Sequence, residues 1–445
     1  MKFKYILAVI LPAFLFTGST DRSAERSQPI PQTETVPAVS ETTSAVTSTT
    51  ATTTATAAAT TSVMTTTVTT SKKTEPPADL ILKCMDTVEA GTDISLENFI
   101  TERNVELKDG SAWLNTSDIG TFQVEVPYIY KGEEFSQTLQ YRVADTTKPY
   151  IFNQGKNSKH KLGKEFDLNN YVGFGDNYDK HPVLTYEGEV DPNTAGSYPL
   201  TAKVTDSAGN SVSWELTVHV VEEIPKSPDT IPRVNYSDFI SRYQSDDVRF
   251  GIDVSAWQAD IDYDAVRDAG CSFVMIRIGH FYSKIKLDDY FHQNLKNAAA
   301  AGLDAGIYFY TTDRTEDGVR EHVRWIVDQL NGQKLDLPIA FDWEEFSNFQ
   351  KYGMSIRDLN DVYAAFADEV RKHGYQPMLY GSKNVMETIW SEKSKQIAPV
   401  WLAHYTKKTS YEGEYAIWQA SAYGLIPGIE GDVDMDIQYL TQKIN

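Results

Sequence analysis

The chain has 445 residues, enough for about three domains at roughly 150 residues each. Hydrophobic residues make up 41% and aromatics 12%, so sizeable cores can form, while 62 acidic against 41 basic side chains leave a net charge of −21 that repels phosphate backbones and argues against general nucleic-acid binding. Only Cys84 and Cys271 could form thiol chemistry, and their separation disfavours both a disulfide-stapled fold and a cysteine-based zinc site.

Lys2 and Lys4 precede an apolar run from Tyr5 to Phe16, followed by small polar residues. A basic start and an apolar stretch of about a dozen residues predict a secretory signal over residues 1–20, because a spanning helix needs about 20. Leu15-Phe16-Thr17-Gly18-Ser19 resembles a bacterial lipoprotein box with Ser19 in place of the lipidated cysteine. Without that thiol no thioether forms, so no lipid anchor is expected. Residues 21–78 are dominated by Thr, Ser, Ala and Pro. With few large apolar groups to bury, this stretch cannot offset its ordering entropy and reads as a disordered stalk.

From Asp79 to Val221 short alternating runs are separated by turn signals, as in Phe122-Gln-Val-Glu-Val and Trp214-Glu-Leu-Thr-Val-His-Val. Ile119-Gly120-Thr121-Phe122 aligns with Ala195-Gly196-Ser197-Tyr198, which predicts an internal repeat of two β-sandwiches over 79–145 and 146–221. Asp206-Ser-Ala-Gly-Asn closing a hairpin resembles bacterial immunoglobulin-like modules. Asp176, Asp179, Asp191 and Asp206 show no calcium-loop spacing and read as turn formers. A linker is expected over 222–248, with two prolines among charged residues at 222–229.

Beyond Arg249, short apolar runs alternate with amphipathic helical stretches such as Asp288 to Ala301, Asp317 to Leu330 and Ile356 to His373. This alternation predicts parallel strands with crossover helices over 249–443, hence a barrel or a doubly wound sheet. No glycine-rich phosphate loop follows any strand, which disfavours a nucleotide site. Asp253, Arg277, Tyr308, Tyr310, Asp342 and Glu344 all fall where apolar runs end, the face on which a (β/α) barrel gathers its chemistry. In Asp342-Trp343-Glu344 the two carboxylates sit at i and i+2 of an extended segment, about 6.5 Å apart at Cα and on one side. Carboxyls so close push one pKa up, giving an acid and an anion as glycosidic cleavage requires. A bare Asp-x-Glu is more often solvated surface, and its place after Leu337-Pro-Ile-Ala-Phe is what singles it out.

Asp253-Val-Ser-Ala-Trp-Gln258, Asp342-Trp343-Glu344, Trp401-Leu-Ala-His-Tyr405, Trp418-Gln419 and Gly431-Asp-Val-Asp434 occur in that order. In this combination the domain resembles glycoside hydrolase family 25, the Chalaropsis-type lysozymes (N-acetylmuramidases), over nearly all of Arg249 to Tyr439. The resemblance implies a flattened α/β barrel of eight strands. It also implies hydrolysis of the β-1,4 bond between N-acetylmuramic acid and N-acetylglucosamine in peptidoglycan. By the same resemblance Glu344 would be general acid and base, and Asp342 would support the substrate's 2-acetamido group as it attacks the ring carbon. Asp253 and Asp434 would line the acidic groove, with a protein nucleophile left open as the alternative to substrate assistance. Phe309, Ala259 and Asp436 depart from the family's usual His, Gly and Asn.

Tyr308, Tyr310, Tyr380, Trp401, Tyr405 and Trp418 are either core or platforms for sugar rings, and Gln419 is a further candidate for substrate binding. Arg277 is a candidate partner for a carboxylate, in the site or on the substrate. His280, His292, His373 and His404 lack ligand spacing, so neither a metal nor a cofactor is expected. The expected whole is a secreted or wall-associated monomeric lysozyme acting on peptidoglycan. The alternatives are an inactive wall-binding adhesin and a hydrolase of another N-acetylhexosamine glycan.

Overall fold

The computed structural model describes residues 75–225, 230–442 and 444, and the expected signal and nearly all of the stalk lie outside them. Residues 75–445 form one compact unit. Its first part is built on a long hairpin, Gly120–Tyr130 with Glu133–Ala144. Lys131 and Gly132 connect the strands with φ of 49° and 84°. Two left-handed residues in a two-residue turn match the right-handed twist of the flanking strands, and glycine takes the second without a Cβ penalty. Thr87–Glu89 adds to this hairpin in parallel and Glu106–Leu107 adds antiparallel, while Leu82–Cys84 pairs with Ile100–Arg103 in a second small sheet. Val126, Tyr128, Tyr141 and Val143 alternate inward and close the core with Phe99.

The second part repeats this pairing scheme. Gly196–Thr205 and Ser211–Val221 form the hairpin, Asn157–Lys161 joins in parallel and Val183–Glu187 joins antiparallel. Tyr150–Asn153 pairs with Gly173–Gly175 as the smaller sheet. The aligned glycines occupy equivalent registers, Gly120 opposite Val143 and Gly196 opposite Val220. At the hairpin turn, the Asn210 amide donates to Asp206 Oδ1 at 2.8 Å and Gly209 takes a φ of 96°.

The C-terminal part is a closed barrel of eight strands: β1 Val248–Val254, β2 Phe273–Phe281, β3 Asp304–Thr311, β4 Ile339–Asp342, β5 Pro377–Ser382, β6 Val400–Ala403, β7 Ile417–Leu425 and β8 Val433–Tyr439. Strands β1 to β7 run parallel, and β8 closes the ring antiparallel to both β7 and β1. Alternation along each strand divides the core in two. Ile252, Ile276, Phe309, Phe341 and Ile437 face helices α1 Phe291–Ala301, α2 Glu316–Leu330 and α3 Ile356–Lys372. Phe273, Met275, Ala340, Met378, Trp401 and Ile417 fill the lumen. The lumen is therefore packed, and only the strand ends can hold a polar site.

Residues 230–248, expected as linker, carry a strand and a helix instead. Val234–Asn235 pairs with β7, and Tyr236–Tyr243 buries Tyr236 and Phe239 in the outer core. The aromatics at 236, 239 and 243 recur at helical spacing, so one face packs on the barrel and overrides the neighbouring prolines. Among the described residues no helix is long and apolar enough to cross a membrane.

The second β module packs on the segment that follows β4. Phe152 meets Phe346 and Phe349 edge-on with ring centroids 5.6 and 5.5 Å apart, and Gln350 Nε2 donates to Val172 O at 2.9 Å. A Cβ on Gly173 would lie 2.5 Å from Phe346 O, and one on Gly175 the same distance from the Phe349 ring. Gly175→Ala must therefore displace packed side chains, with an expected loss of about 1–3 kcal/mol. Thermal unfolding of the full chain checks this, and an unchanged Tm would show that the contact is not formed in solution.

Candidate active site

Asp253 is the penultimate residue of β1, Asp342 closes β4 and Glu344 follows two residues later. Trp343 between the last two turns away into the outer core, 1% exposed, and donates from Nε1 to Asp313 O at 3.1 Å. That anchor leaves Asp342 and Glu344 on the lumen side of the chain, where each carries charge that acts on the other residues of the mouth. Asp434 on β8 stands directly opposite Asp253 in the antiparallel pair, and Asp436 lies two residues on, on the same face.

Hydrogen bonds hold the mouth together. Gln419 Nε2 donates to Asp253 Oδ2 at 2.7 Å, and its Oε1 accepts from the hydroxyls of Tyr380 and Tyr405, each at 3.0 Å. Trp401 Nε1 donates to Asp436 Oδ1 at 2.8 Å. Among the described residues, the buried Oδ1 of Asp342 and Oδ2 of Asp436 have no hydrogen-bond partner. Arg277, the expected carboxylate partner, makes its ion pair at 2.8 Å with Asp288, a residue the sequence did not single out. Its positive charge also reaches Asp342 and opposes that group's upward shift.

These carboxyls do not keep ordinary acidities. Burial, then the neighbouring charges of Glu344 and Asp253, hold Asp342 well above the usual carboxylate range. Burial and then Asp436 do the same to Asp253, and Asp436 is pushed up to about 8, mainly by burial. Glu344 is pushed up to about 7, first by desolvation among the groove walls and then by Glu345. Solvent nevertheless reaches Glu344, whereas Asp253 and Asp342 are closed off. Access to water moderates the desolvation without reversing it, because the Glu345 charge acts in the same upward direction. Glu344 is thus the carboxyl that can hold a proton near neutrality and still exchange it with the groove.

Tyr310 donates to Glu345 Oε1 at 2.7 Å, which fixes that second charge beside Glu344. Glu345→Gln removes it, so the alkaline limb of a kcat–pH profile should move to lower pH. A limb that stays in place would show that Glu345 does not tune Glu344.

The aromatic candidates separate. Trp401 and Tyr380 are buried in the lumen, with ring centroids 4.7 Å apart, and Tyr308 packs edge-on against Trp401. They form the floor of the site. Trp418 faces the outer core and donates to His404 O, because it neighbours lumen-facing Gln419 in a strand. Tyr405 is 42% exposed and rims the mouth. Sequence reasoning missed Tyr282, 50% exposed at the end of β2 with its ring 5.2 Å from Tyr310, and Trp257, 56% exposed just after β1. Their position after strand ends was the available signal. Of the histidines, His404 Nδ1 is 2.9 Å from Thr409 Oγ1, and burial lowers both His280 and His404 from their ordinary values.

The chain is similar to known proteins over two of its parts. Residues 252–429 match the glycosyl hydrolases family 25, and residues 152–220 match the bacterial surface protein Ig-like domain. The autolytic lysozyme of Clostridium acetobutylicum is 29% identical over 189 residues, 42% of this chain and 54% of its own length. Lysozyme M1 of Streptomyces globisporus is 29% identical over 201 residues, 41% of this chain and 65% of its own length. The chain thus spans about half to two thirds of these relatives. A solved bacterial lysozyme from Streptomyces coelicolor aligns at 25% identity with a TM-score of 0.36, covering 42% of this chain and 90% of that one. Residues 252–429 are therefore a glycosyl hydrolases family 25 domain, preceded at 152–220 by a bacterial surface Ig-like domain.

Proposed function

We propose that the chain is a lysozyme that hydrolyses the β-1,4 bond between N-acetylmuramic acid and N-acetylglucosamine in peptidoglycan. The observation that carries this reading is the raised, solvent-reached carboxyl of Glu344 beside the buried carboxyls of Asp342 and Asp253 at one end of the barrel. Protonated Glu344 gives its proton to the glycosidic oxygen as the bond to the ring carbon breaks. Asp342, two residues away, assists by supporting the substrate's 2-acetamido group as it attacks the positive ring carbon. Glu344, now a carboxylate, takes a proton from the water that completes hydrolysis. In this reading Asp434, Arg277 and the exposed rings of Tyr405 and Tyr282 contact the glycan around that bond.

The further organisation is part of the same proposal. Residues 1–20 direct export, 21–78 form a stalk, and the modules over 79–145 and 146–221 hold the barrel at the cell wall. The equivalent strand pairing of the two modules supports reading the first as a second Ig-like copy.

The test combines reducing-end release from insoluble peptidoglycan with cosedimentation. Wild-type protein should bind and release reducing ends, whereas Glu344→Gln should bind without release. Turnover of chitin oligomers with none of peptidoglycan would overturn the substrate assignment.

A further inference from the structure

A second group of buried acids lies outside the barrel, where the two β modules meet. Asp145 follows the last strand of the first β module, and Asp176 and Asp206 belong to two loops of the second. One carboxylate oxygen from each lies within 4.8 Å of the others. The three residues are 7%, 0% and 6% exposed. Among the described residues, both oxygens of Asp145 and the Oδ2 atoms of Asp176 and Asp206 have no hydrogen-bond partner. Their remaining oxygens are held: Asp176 Oδ1 accepts from the amides of Tyr178 and Asp179 at 2.9 and 2.8 Å, and Asp206 Oδ1 accepts from Asn210.

Three carboxylates cannot be buried together as bare anions. Among the described residues none of them joins an ion pair, and the charges acting most strongly on Asp145 are other acids, Asp176, Asp206 and Glu89. Either protons or a cation must neutralise the cluster. The donors are all oxygen, come from three separate segments and are loosely spaced. That suits the flexible shell of Ca²⁺ at 2.3–2.6 Å better than the strict octahedron of Mg²⁺, and offers nothing soft for Zn²⁺.

We infer that Asp145, Asp176 and Asp206 form a calcium-binding site at the junction of the two β modules. The same loop reaches the barrel. Ile356 N donates to Asp176 O at 2.8 Å and Arg357 N to Asn177 O at 3.3 Å, both at the start of α3, while Asn177 Nδ2 donates to Glu89 Oε1 at 3.0 Å. A cation here ties the first module, the second module and the barrel into one rigid arrangement. Sequence spacing concealed the site because its ligands come from strand ends brought together only by the fold.

The test is calorimetric titration of CaCl₂ into chelator-stripped full-length protein at pH 7.5, with thermal unfolding alongside. One calcium should bind per chain and raise Tm. Asp145→Asn removes a ligand whose oxygens the fold does not use, so it should weaken binding at least tenfold while leaving the calcium-free Tm unchanged or higher. No binding by folded wild-type protein at millimolar calcium would overturn the site. So would an undiminished response in Asp145→Asn, or an equal response to MgCl₂.

Discussion

Glu344→Gln is expected to lower kcat by on the order of 10²–10⁴, the usual contribution of a positioned general acid. The amide keeps the size of the side chain but can neither give up nor take a proton. Stability should not fall, because the substitution removes a charge that burial and Glu345 already disfavour. Measuring kcat and Tm together therefore separates a chemical role from a structural one. The pH dependence has a defined sign. Glu344 must be protonated to act as the acid, and its pKa of about 7 makes activity fall as pH rises through neutrality. A variant that retains wild-type kcat would remove Glu344 from the mechanism.

Asp436→Asn is expected to stabilise the barrel at pH 7.5 and to change little at pH 4. The folded chain holds the Asp436 proton up to about 8, whereas an unfolded aspartate releases it near its ordinary value of 3.8. Folding is thus favoured by this group at low pH, and that contribution is lost as pH rises from about 4 to about 8. At ~1.36 kcal/mol per pH step, the ceiling by pH 7.5 is on the order of 5 kcal/mol. The neighbouring Asp253 takes part of it, since the closeness of the two acids raises Asp253 and lowers Asp436. Asparagine removes the charge and keeps an oxygen for Trp401 Nε1. A gain of only 1 kcal/mol already corresponds to about 2–4 °C in Tm for a domain of this size. A lower Tm at every pH would mean instead that an ionised Asp436 supports the fold.

Much of the barrel site can be read from the chain because its signal is local. Asp253, Tyr308 and Asp342 fall within or at the end of short apolar runs, and a two-residue period decides which neighbours share their face. The same period, applied more strictly, separates Trp418 from Gln419 and brings Asp436 in beside Asp434. Other parts needed the fold itself. The Arg277–Asp288 pair joins β2 to the residues just before α1, and no spacing rule links them. The helix over 236–243 was hidden by nearby prolines, although its three aromatics repeat at helical intervals. The Asp145–Asp176–Asp206 cluster depends on two modules meeting, so Asp176 and Asp206 alone read as turn formers and Asp145 carries no signal.

The most direct test of the central claim is to digest peptidoglycan with the full-length protein, reduce the products with borohydride and identify the new ends by mass spectrometry. Fragments ending in reduced muramic acid are the predicted result. Fragments ending in reduced glucosamine, or no fragments from demonstrably folded protein, would contradict it.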